Sequence, residues 1–217
     1  SISQAGETRR SEYRNIPSNV SFNQEIILEN PYKKDISKKM DINIKFFKGG
    51  KNMIEKKILL ISHVADEDGI TPIILARQVF KEVDTILLNP GEVDEKLIEN
   101  LDKYEEIYIT DLSITEDLAI KIDENEDYKN KIKLFDHHQT ALYLNKYSFA
   151  KVVIETDEKK ESATSIFYKY LLSISDSEIL RKESTKGLVE EVRLIDTYDF
   201  KTEEDERANR RSEERFS

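Results

Sequence analysis

Short apolar runs alternate with stretches of helical period along most of this chain, beginning near Lys57. Ile58-Leu-Leu-Ile61 is too short and too continuous for an amphipathic helix and reads as a strand buried on both faces. Comparable runs predict strands at 57–62, 84–88, 106–110, 132–136 and 151–155. Between them, apolar residues at helical spacing predict helices at 71–82, 93–102, 115–124, 161–173 and 185–198. Ile73, Ile74, Ala76, Val79 and Phe80 supply the apolar face of the first helix, and Ser162 or Thr164 caps the fourth. Strand and helix in strict alternation imply βαβ units. The expected fold class is therefore α/β, a mostly parallel five-stranded sheet with helices on both faces and poorly structured ends.

The two ends lack this pattern. Residues 1–56 read as an N-terminal extension, non-native or flexible, with a polar, Arg-bearing start and one short strand at 41–47. Lys48-Gly-Gly-Lys-Asn-Met53 is what a purine-rich ribosome-binding site would encode if translated in frame, with Met53 as the start. It reads equally as a Gly-Gly turn after a strand. Residues 57–200 form the expected domain, and 201–217 form a charged tail.

Charge and composition narrow the function. Of 217 residues, 34 are Lys or Arg and 44 are Asp or Glu, a formal net charge of −10, which argues against strong binding to duplex nucleic acid. A small phosphate ester held through metal ions remains compatible with that charge. No apolar stretch reaches the ~20 residues of a membrane span and no signal-peptide pattern is visible, so no membrane partner and a cytoplasmic location are expected. The chain has no cysteine, which removes disulfides and thiolate ligands from consideration.

The candidate chemistry sits where strands end. Asp136-His137-His138 follows the run Ile132-Lys-Leu-Phe135, and the third histidine, His63, follows Ile58–Ile61 and opens a segment with Asp66 and Asp68. Asp111 follows Glu106–Thr110, and Asp196 and Asp199 end the last helix. Each has a plain alternative taken alone: a solvated acidic loop with a Gly69 turn for 66–68, a helix-capping aspartate for Asp111, a polar helix end for Asp196. Together they place carboxylates and imidazoles along the carboxyl edge of one sheet, where open α/β sheets carry their sites.

These four segments, in this order, resemble the DHH phosphoesterase family, over Ile58 to Phe200, and Ser162-Ala-Thr164 is similar to the family's segment after the triplet. Among its members the small nanoRNase-like and RecJ-like enzymes look nearest, with this chain covering the N-terminal DHH domain only. The resemblance implies a two-ion centre of manganese, with magnesium as substitute. His63, Asp66 and Asp111 would hold one ion and Asp68, Asp111, His137 and Asp196 the other, Asp111 bridging and Asp199 competing with Asp196. Asp136 would orient a histidine and His138 would face the phosphate, the two being the catalytic candidates beyond the ligands. A carboxylate and imidazole set without thiolate suits manganese or magnesium more than zinc. Two such ions activate water for in-line attack on a phosphoester.

The implied activity is hydrolysis of phosphodiester or phosphomonoester bonds in short oligonucleotides or small nucleotides. A non-catalytic nucleotide- or metal-binding module, or a truncated domain without its substrate-binding partner, is the alternative. Family enzymes carry a second, C-terminal domain with a Gly-rich, His-containing loop, and nothing in 201–217 resembles it. Substrate binding would then come from a partner or from that missing domain. A pyrophosphatase would need a cluster of Lys and Arg that this chain does not show. The spacing His63-x-x-Asp66-x-Asp68 is one residue shorter between His and Asp than in many relatives.

Overall fold

The computed structural model describes residues 53–198 and the strand residues 20–21 and 43–44. The chain divides into two compact units, one of residues 1–25 and 33–48 and one of residues 26–32 and 49–217. In the first unit, β1 (Val20–Ser21) pairs antiparallel with β2 (Asn43–Ile44), inside the strand expected at 41–47. The tail expected at 201–217, the competing ligand Asp199 and the remainder of the extension up to residue 52 lie outside the described residues, whereas residues 54–56, expected in the extension, are the start of β3.

The second unit holds an all-parallel sheet of five strands in the order β4-β3-β5-β6-β7: β3 (Ile54–His63), β4 (Phe80–Leu88), β5 (Glu106–Thr110), β6 (Ile132–Asp136) and β7 (Ala150–Val152). Helices cover both faces, as the alternating pattern required. Leu59 and Ile61 point into one core with Ile107, Ile109 and Leu134, beneath α2 (Val93–Asn100) and α3 (Glu116–Asp123). Ile58 and Leu60 point the other way, into a core with Phe135, beneath α1 (Glu67–Ala76), α5 (Ala163–Ile174) and α6 (Glu183–Thr197). All four residues from Ile58 to Ile61 are fully buried, which explains their unbroken apolar run. Among the described residues no helix is long and apolar enough to cross a membrane.

The first helix departs from its expected bounds. It runs over 67–76 rather than 71–82, and β4 begins at Phe80 rather than 84. Val79 and Phe80 belong to the turn and to the strand, and they continue the helical spacing only because an apolar strand follows closely. Asp66 caps the helix, its Oδ1 accepting the Gly69 N–H at 3.0 Å. Asp68 therefore lies inside the first turn, not on a loop, and Gly69 makes no turn. A Cβ at Gly69 would fall 2.0 Å from the His63 carbonyl oxygen, so glycine lets the helix close onto the end of β3. Two short elements escaped the sequence pattern: α4 (Glu126–Lys131), capped by Asn125, and a 3-10 helix at Gln139–Lys146. Neither offers a long enough apolar face to announce itself.

The register of the sheet sets the geometry of its upper edge. Ser62 lies opposite Thr110 on β5, and Thr110 opposite Phe135 on β6. His63, Asp111 and Asp136 are each the next residue out, so three adjacent strands deliver them at one level. The strand order also reverses direction between β3 and β5, the place where doubly wound sheets open a crevice.

Candidate metal centre

Asp111 organises the edge. Its backbone is left-handed, φ 57°, a conformation that aspartate tolerates but rarely adopts, and its N–H donates to the Phe135 carbonyl at 3.0 Å. Thr115, not Asp111, caps α3. The buried Asp111 carboxylate points its two oxygens at two different groups. Oδ2 lies 3.4 Å from His63 Nδ1, which is also 3.3 Å from Asp66 Oδ2. Oδ1 lies 3.4 Å from His137 Nε2, which faces Asp196 Oδ2 at 3.3 Å and Asp68 Oδ2 at 3.8 Å.

Three groups with the spacing of ion sites result, within each of which the ligand atoms lie within 4.8 Å of one another: His63, Asp66 and Asp111; Asp68, His137 and Asp196; and Asp111, Asp136, His137 and His138, where Asp136 is already engaged by His138. The sequence-derived candidates His63, Asp66, Asp68, Asp111, His137 and Asp196 are all brought together here. Asp66 serves twice, capping α1 with one oxygen and facing His63 with the other. Asp196 arrives from the last turn of α6, which Tyr198 ends in a left-handed conformation.

A cation fits this arrangement on internal grounds. His137 Nε2 and Asp196 Oδ2 are buried, face each other, and neither has a hydrogen-bond partner. Buried polar atoms without partners are costly, and one ion between them would satisfy both. The protonation balance of the cluster fits too. Burial pushes the Asp111 carboxyl up. Burial and the neighbouring Asp68 charge raise Asp196 to about 6. Burial alone would lower His137, but the approach of Asp111 and the charges of Asp196 and Asp68 outweigh it and raise the imidazole to about 9. Binding of a metal by these groups would displace protons from them.

Asp136 and His138 form a separate arrangement beside the cluster. The fully buried Asp136 Oδ1 accepts from the backbone N–H of His137 at 2.7 Å and of His138 at 3.2 Å, and lies 2.7 Å from His138 Nδ1. That contact with Asp136 raises the His138 pKa. The His138 side chain is 54% exposed.

The sequence marked Ser162-Ala163-Thr164 as a family-like segment, but not its contact with Asp68. Ala163 N–H donates to Asp68 Oδ2 at 2.8 Å, Thr164 N–H to Oδ1 at 2.9 Å, and Thr164 Oγ1 to the Asp68 carbonyl at 3.1 Å. Ser162 is the true cap of α5, in a reciprocal arrangement with Ser165, which leaves Thr164 free for this task. A second buried link ties β3 to β5: Ser62 Oγ donates to the Gly69 carbonyl at 2.6 Å and lies 2.7 Å from Thr110 Oγ1.

No protein-family model matches the chain, and no solved structure does. Among curated proteins, an oligoribonuclease named NrnB from Bacillus subtilis (strain 168) is 31% identical to it over 159 residues. The match covers 70% of this chain and 39% of that protein, so the chain spans about two fifths of the length of the relative it resembles.

Proposed function

We propose that this chain carries the dinuclear metal centre of a DHH-family phosphoesterase that hydrolyses short oligoribonucleotides. The observation that carries the reading is the divergence of the two Asp111 oxygens, one toward His63 and one toward His137. A carboxylate placed between two clusters of nitrogen and oxygen donors is what a bridging ligand requires. Similarity to an oligoribonuclease supports both the family and the substrate class.

In this reading His63, Asp66 and Asp111 would hold one ion, and Asp68, Asp111, His137 and Asp196 the other. Oxygen and nitrogen donors alone suit manganese, with magnesium as substitute. When bound, a pair of such ions activates water as the nucleophile and neutralises charge on the phosphoryl oxygens. The chain's own residues do the rest. Asp136 holds the His138 ring through Nδ1 and favours its protonated form, which would leave Nε2 as a donor for a phosphoryl or leaving oxygen. No side chain serves as a covalent nucleophile.

The test is elemental analysis after purification in manganese, together with hydrolysis of bis-p-nitrophenyl phosphate and of a short oligoribonucleotide. Wild type should carry close to two ions per chain and cleave the diester. Asp111→Ala should lose both the ions and the hydrolysis. Wild-type protein that takes up no manganese would end the proposal.

A further inference from the structure

We propose that Thr164, through its hydroxyl, is the positioning residue that holds Asp68 in its metal-ready orientation, compensating for a hydrogen bond that Pro72 removes from α1. The inference rests on the dinuclear reading above and adds a residue to it. Pro72 lies inside α1, where the residue four positions earlier is Asp68. A helix would normally give the Asp68 carbonyl an N–H donor from position 72, but proline has none and its ring crowds that carbonyl. The Asp68 carbonyl is thus left without its helical partner at the spot where the side chain must be aimed.

Thr164 fills that position from another element. Its Oγ1 donates to the Asp68 carbonyl, while its own N–H and that of Ala163 hold the two carboxylate oxygens. Asp68 is 1% exposed and Thr164 fully buried, so water does not reach these bonds. Backbone and side chain of one candidate ligand are therefore fixed together by the first turn of α5. The amino end of that helix also offsets the charge of a carboxylate that shares its surroundings with Asp111 and Asp196. A hydroxyl at 164 matters only because residue 72 is proline, and that dependence separates a positioning role from general packing.

A double-mutant cycle on manganese binding tests it, read by calorimetry and by electron paramagnetic resonance of the bound ions. Thr164→Val keeps the shape and removes the hydroxyl; it should weaken one of the two ions about tenfold, in line with the loss of a partner that orients a ligand. Thr164→Ser should bind as wild type. In the Pro72→Ala background, where an N–H at 72 can bond the Asp68 carbonyl, the same Thr164→Val change should cost markedly less. Equal weakening in both backgrounds, or none in either, overturns the proposal. Should Thr164→Val alone not fold, the double variant decides. A folded, two-ion double variant supports the role; a double variant that also fails, with Thr164→Ser folded, overturns it. Wild type that binds no manganese pair is a separate outcome, since that sinks the metal centre itself.

Discussion

Single side chains carry more than one duty at this sheet edge, and the tightest constraint is steric. Gly69 has no alternative, because any Cβ there meets the carbonyl of His63 at 2.0 Å. Gly69→Ala is expected to cost roughly 1–3 kcal/mol of stability, as overpacking does, and to loosen ion binding through His63. Urea unfolding and a manganese titration measure the two effects; an unchanged midpoint with unchanged affinity would contradict the packing described. The sequence showed this glycine but offered a different reason for it, a turn, because the start of α1 was placed four residues too late. His63, Asp111, Asp136 and His137 were readable because each ends or directly follows a strand whose apolar run announces it. The role of Thr164 was not, because its partner is 96 residues away in the chain and the sequence offered it only as an alternative to Ser162 for capping the helix.

Among the elements, α6 shows how a helix is aimed. Arg193 is almost completely buried, and donates to Glu190 through Nε and Nη2 at 3.1 and 2.7 Å and to the Lys160 carbonyl at 3.0 Å. Lys159 Nζ donates to Glu190 at 2.6 Å. These contacts fasten α6 to the segment after β7, three residues before Asp196. The Arg193 hydrogen bond, then that of Lys159, draws the Glu190 carboxyl down to about 2. A depressed acid contributes stability above the ~4.3 of an unfolded glutamate, lost as pH falls through about 2. Glu190→Gln should therefore flatten the loss of stability between pH 4 and pH 2, followed by thermal unfolding in citrate and glycine buffers; an identical acid profile would contradict it. At this scale the sequence was most transparent. Five strands and five helices stood at or near their expected places, whereas α4 and the 3-10 helix, short and half-exposed, lacked the periodic face that makes a helix visible.

For the molecule as a whole, the carboxylate–imidazole cluster links folding to pH. His137 at about 9 lies above the ~6.5 of an unfolded histidine, so its contribution is complete below pH ~6.5 and is lost as pH rises through 9. Asp196, raised to about 6, acts in the same sense lower down, because the folded chain retains a proton that the unfolded one has released. Melting temperature in chelator is expected to fall between pH 6.5 and 9, and saturating manganese to abolish the fall, since the ion takes the place of the protons. Parallel slopes with and without metal would refute this linkage. The all-parallel sheet also assembles from strands distant in sequence, each waiting for its crossover helix. A slip of one residue along β3, β5 or β6 would shift its terminal ligand by about 3.3 Å and turn it to the opposite face. On the proposed dinuclear reading, manganese would reward only the chain whose strands are correctly aligned, and would act during refolding as an inspector of alignment that mispaired intermediates fail.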